Sequence, residues 1–130
     1  MRESLRDIGR IEHIKDAINR IATFLDGVTY EQFQNDPILY YAIVKNIEII
    51  GEAAYMLTQE FTDSHPEVEW PVIVKMRHVL VHGYYRLDEK EIWHTATRNV
   101  PQLKEPIEKT LLLLQQDQDN RLNDNETICQ

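Results

Sequence analysis

The chain has 130 residues, 42% of them hydrophobic and 28% charged, with a formal net charge of -8. That length suits one domain, and the composition excludes wholesale disorder and low-complexity chains. Four glycines are too few for the turns of a β-sandwich or barrel, and no apolar run is long enough to span a membrane. The expectation is an all-α, single-domain bundle of four to five helices, up-and-down in order, with a short extra helix. The lone cysteine, Cys129, excludes an internal disulfide, and no apolar stretch follows the N-terminal MRESLRDIGR, so a cytoplasmic location is expected.

Over residues 3–26, Leu5, Ile8, Ile11, Ile14, Ile18, Ile21 and Leu25 recur at steps of three and four, one face of a first helix that Gly27 ends. Asp36 and Pro37 form an N-cap with proline at the first helical position. They open a second helix expected to run to about Phe61 on a stripe of Leu39, Ile43, Ile47, Ile50, Ala54, Leu57 and Phe61. Thr62 to Trp70 reads as a loop, and Pro71 can begin a third helix that stops at Gly83. Asp88 with Glu91 predicts a capping box for a short helix ending near Asn99, and Pro101 opens a last helix through Leu103, Ile107, Leu111 and Leu114. The domain is therefore expected over residues 1–116, with 117–130 a loose polar tail.

Charge is unevenly distributed. Residues 71–104 hold six basic and three acidic side chains, whereas both flanking segments are acidic. Lys75, Arg77, Arg86, Lys90, Arg98 and Lys104 lie in that basic stretch together with His78, His82 and His94, so a polyanion is expected to bind there. A solvated basic face is the plainer alternative.

Lys75 to Tyr85, KMRHVLVHGYY, places fixed cations beside two imidazoles. Histidine can take a proton from a ribose hydroxyl or give one to a leaving oxygen, and arginine's planar fork neutralises a phosphate. Such a set suits RNA cleavage without a metal. Residues five apart on an ideal helix are separated by about 140°, so Arg77 and His82 converge only if the helix end loosens at Gly83. An Arg-to-His spacing of this kind is weak alone, and Arg6 with His13 is a second match, placed in mid-helix with no turn after it.

Arg77, four residues, His82, one residue and Tyr84 together resemble the signature of the HEPN ribonuclease toxins of the HepT type. Residues 41–54, YAIVKNIEIIGEAA, resemble that family's second helix, and Trp70 through Pro101 follow its C-terminal half, so the likeness covers about residues 5–115. The resemblance implies a HEPN-like homodimer whose two Arg/His motifs line one cleft, with Arg77 and His82 catalytic and His78 supporting them. It also implies the toxin of a type II- or VII-like toxin–antitoxin pair, whose MNT-type nucleotidyltransferase antitoxin adenylylates Tyr84. ATP is then used by that partner, and this chain needs no cofactor. RNA is the expected substrate, with no role at DNA or membrane. Lys75, Glu48, Glu52 and Arg86 are candidates to line the cleft.

Each residue has a plainer role beside this one. His82 can cap a helix C-terminus, and Tyr84 can be an ordinary amphipathic aromatic. His78 and His82 have the spacing of a zinc pair, but no third ligand is evident, so no metal site is expected. Glu48 and Glu52 could form a magnesium pair only with carboxylates from another helix, which leaves them as a polar seam. The competing function is a non-catalytic partner subunit of a nucleotidyltransferase that holds nucleotide or phosphate in the same cleft.

Overall fold

A computed structural model describes residues 2–82 and 89–128, with side chains described over 6–76 and 89–123. Its elements are α1 (Arg2–Leu25), α2 (Tyr30–Gln34), α3 (Pro37–Tyr55), α4 (Gln59–Ser64), α5 (Trp70–His82), α6 (Glu89–His94) and α7 (Val100–Ile128), with a π-helical stretch, Thr95–Asn99, joining α6 to α7. The all-α expectation holds: four long helices form the bundle, with short ones between them. No helix among the described residues is long and apolar enough to cross a membrane.

The expected stripe of α1 is buried at Ile11, Ile14, Ile18 and Ile21, and α3 buries Ile43, Ile47, Ile50 and Ala54 against it. The two helices run antiparallel. Early in α1, Asp7 meets Thr58 just past the end of α3, whereas Arg20, near the end of α1, donates from Nε to Asn46 Oδ1 at 2.7 Å in mid-α3. Helix α3 also packs on α5, and α1 on α7. At the end of α1, Gly27 takes φ 71, the left-handed conformation that lets the chain turn back.

Three boundaries differ from the sequence expectation. Helix α3 stops at Tyr55 and α4 starts anew, although the apolar stripe continues through Leu57 and Phe61. Contacts from α1 fix the break. Arg10 donates to the carbonyl of Met56, and Thr58 gives its hydroxyl hydrogen to Asp7 while accepting from the backbone N–H of Phe61.

Pro101 stands in the first turn of α7, as expected, but no loop precedes it, because the π-helical stretch Thr95–Asn99 joins α6 to α7 directly. A proline ring crowds the carbonyl four residues earlier, and the wider turn over Thr95–Asn99, with Val100 N–H bonded to Thr95 O, accommodates it. Thr97 donates its hydroxyl hydrogen to the Trp93 carbonyl at 2.7 Å in the same turn.

Residues 117–128 are also not a loose tail but the end of α7. Glutamine, arginine and leucine are good helix formers, and adding turns to a helix already nucleated by its packed part, through Leu111, costs little. Helix α2 was not expected. Thr29 caps it, accepting from Gln32 N while Gln32 Oε1 accepts from Thr29 N, and its fully buried Phe33 packs 5.3 Å from the Trp93 ring.

Candidate nucleic-acid site on α5

Helix α5 is anchored at its start. Trp70 lies 6.0 Å from the ring of Phe61 and donates its indole N–H to the His65 carbonyl at 2.9 Å. Ile73 and Met76 are buried in the core, which fixes the rotation of the helix. Trp70 thus sits beyond the C-terminal end of α3, while Met76 shares a groove wall with Ile47 in mid-α3. The two helices are antiparallel, and with about 1.5 Å of rise per residue His82 comes level with Tyr41.

Arg77, His78 and His82 occupy the last two turns of α5, with their side chains outside the described set. The expected stop at Gly83, the capping residue Asp88, and Tyr84, Tyr85 and Arg86 lie outside the described residues. Lys75 is exposed and lines the groove. Glu48 and Glu52 are half-buried on the outward face of α3, on a seam with Ile38, Tyr41, Lys45 and Tyr55 at steps of three and four. Glu48 pairs with Lys45 at 3.7 Å, an exposed contact worth little on its own. Ile38 and Tyr41 are 84% and 70% exposed, so this seam combines apolar area with two carboxylates.

The groove beside α5 encloses about 400 Å³. Ile47, Met76 and Ile92 form a buried apolar floor, and Lys75, Glu91, His94, Thr95 and Asn99 supply polar groups around it. Lys75 stood out in the sequence as a cleft candidate, whereas Glu91 and Asn99 read only as a capping partner and a helix end, and Thr95 not at all. Their signal was the spacing of four along residues 91, 95 and 99, beside the buried positions Ile92 and Ala96.

A second polar junction ties the loop before α5 to α7. Glu67 Oε1 accepts from the hydroxyl of buried Thr110 at 3.0 Å and lies 3.0 Å from His65 Nδ1. Burial works against the charge on Glu67. Hydrogen bonds from its own backbone N–H, from His65 and from Thr110, with the attraction of His65, outweigh it and hold the carboxyl below its ordinary 4.5.

Residues 14–110 match the family model described as ribonuclease HepT-like. The chain is 35% identical to a candidate RNase of Caldanaerobacter subterraneus subsp. tengcongensis over 78% of its own length and 90% of that protein. It is 34% identical to a candidate ribonuclease HepT of Thermococcus cleftensis, over 84% and 97% of the respective lengths. A candidate RNase of Methanocaldococcus jannaschii is 30% identical, over 86% and 89%. No solved structure matches the chain.

Proposed function

Because the chain belongs to the ribonuclease HepT-like family, we propose that it is the toxin of a toxin–antitoxin pair, a metal-independent endoribonuclease acting through Arg77 and His82. The observation that carries this reading is the span of the family match, which includes the whole Arg77-to-His82 stretch of α5 and the basic segment around it. In this mechanism an imidazole, His82, removes the proton from a ribose 2′-hydroxyl, and the 2′-oxygen attacks the adjacent phosphorus. Arg77 neutralises the charge that gathers on the phosphorane oxygens, and His78 supports the site. The bond to the 5′-oxygen breaks as that oxygen takes a proton from the imidazolium or from water, leaving a cyclic phosphate on one product and a hydroxyl on the other. The chain uses no cofactor of its own.

The working unit is a homodimer. A lone protomer is acidic outside residues 71–104, and two copies bring two basic segments to one cleft. The exposed seam of Ile38 and Tyr41, level with the end of α5, offers apolar area that a two-fold axis can pair with itself. Glu48 and Glu52 then face the cleft or the interface.

Tyr84 is the point of control. A nucleotidyltransferase antitoxin transfers adenylate from ATP to its phenol oxygen, two residues beyond His82, and the added phosphodiester occludes and repels the RNA phosphate. Incubating the purified protein with RNA in EDTA tests the reading: a ribonuclease of this kind cleaves, and a non-catalytic partner subunit of the nucleotidyltransferase does not.

A further inference from the structure

The groove between α3, α5 and the α6–π segment has a layout distinct from the Arg/His motif. Its floor is Ile47, Met76 and Ile92, each nearly inaccessible to solvent, and its volume of about 400 Å³ lies in the range of small-molecule sites. A carboxamide (Asn99), a hydroxyl (Thr95), an imidazole (His94), a carboxylate (Glu91) and an ammonium (Lys75) surround that floor. An apolar slot edged by donors and acceptors suits a heterocyclic base: the faces of the ring meet aliphatic side chains, and its edge meets the amide, hydroxyl or carboxylate. Lys75 supplies the charge for an attached phosphate.

Position connects this groove to the motif. Lys75, His78 and His82 stand at i, i+3 and i+7 of α5, so helical register puts them on one stripe. Seven residues of rise separate Lys75 from His82 by about 10 Å along the axis. The opposite wall carries the π-helical turn, with Thr95 and Asn99 at its two ends and both lining the groove. Wide turns of this kind recur where a helix wall is shaped around a site.

We propose that this groove is a nucleotide subsite, seating the base of a residue that flanks the cleaved bond and holding its phosphate on Lys75. The proposal rests on the ribonuclease reading for its meaning, but its binding test does not depend on cleavage.

The full-length chain, labelled at isoleucine and methionine methyl groups, is titrated in turn with the four ribonucleoside 5′-monophosphates, with the free nucleosides and with inorganic phosphate. The expected result is saturable perturbation of Ile47, Met76 and Ile92 by at least one nucleotide. Val72→Trp, which fills the groove from a position 40% exposed, should abolish it. Lys75→Ala should weaken nucleotide binding about tenfold and leave free nucleoside binding unchanged. In cleavage assays both variants should lower kcat/KM, and Val72→Trp should flatten any preference for the flanking base. Perturbation elsewhere, or none, overturns the proposal. So does a groove whose methyl signals respond to dilution of the protein and not to nucleotide, because a second copy then occupies it. Wild-type cleavage with a silent groove removes the subsite alone, whereas nucleotide binding in the groove of a protein that never cleaves RNA removes the ribonuclease reading and leaves the subsite.

Discussion

Asp7 and Thr58, 51 residues apart in sequence, are joined twice: Asp7 Oδ2 accepts the Thr58 hydroxyl hydrogen at 2.8 Å, and Asp7 Oδ1 accepts the Thr58 backbone N–H at 3.3 Å. Asp7 is 3% exposed, so this pair sets the break between α3 and α4 from inside the bundle. Asp7→Ala leaves a half-buried N–H without its acceptor and should cost about 1–3 kcal/mol. Urea unfolding followed by circular dichroism checks this, and a loss within error of zero would mean that water replaces the carboxylate.

Glu67 gives a pH dependence of known sign. Its folded-state pKa is below the ordinary 4.5, so its contribution to stability is complete above that value and is lost as pH falls through the folded pKa. Glu67→Gln should therefore lower Tm at pH 7, with the gap to wild type closing as the pH falls below 4.5. Thermal melts of both proteins from pH 3 to pH 7 provide the test. A gap that stays constant would assign the contribution to packing and not to charge.

Tyr84→Phe keeps the ring and removes the oxygen proposed to accept adenylate. This variant should fold, retain much of any cleavage activity and escape inactivation by the proposed nucleotidyltransferase partner with ATP. Intact-mass measurement reads each transfer as an increase of about 329 Da. Equal labelling of both proteins would place the modification elsewhere, with Tyr85 the first residue to examine.

The α3 seam should be an interface between copies. Tyr41→Glu puts a charge on its most exposed aromatic, near Lys45, Glu48 and Glu52, and should shift the protein toward monomer in light scattering while circular dichroism is unchanged. Cleavage should fall with dimer content. A wild-type monomer that cleaves at full specific activity would contradict the shared cleft.

The long helices were legible because their apolar positions repeat every three to four residues, and Gly27, Asp36 and Pro37 punctuate them in the expected way. The end of α3 was not, because its stripe runs on into Leu57 and Phe61, and the contacts that stop it come from Asp7 and Arg10 on another helix. Helix α2 carried a readable signal, the Thr29-to-Gln32 capping box, which its length of five residues hid from any test of periodicity. Pro101 read as a helix start because proline favours first turns, and it stands in the first turn of α7; the π-helical stretch that joins α6 to α7 without a loop left no such signal. At the candidate site, the α5 motif rests on the sequence resemblance, since its side chains lie outside the described set. The groove needs three helices to exist, so Glu91, Thr95 and Asn99 acquire their meaning only where they face Lys75 and Met76.

Metal-independent RNA cleavage by Arg77 and His82, as proposed, is tested most directly by the cleavage rate of wild type, Arg77→Ala, Arg77→Lys and His82→Ala in EDTA, at equal concentration and with folding checked by circular dichroism. Wild type should release fragments ending in a cyclic phosphate. The two alanine variants should be slower by roughly a hundredfold to ten-thousandfold, the usual span for one general acid or base. Arg77→Lys should recover only part of the loss, since an ammonium cannot make the two parallel bonds of a guanidinium to phosphate. Cleavage by both folded alanine variants at the wild-type rate would remove Arg77 and His82 from the chemistry.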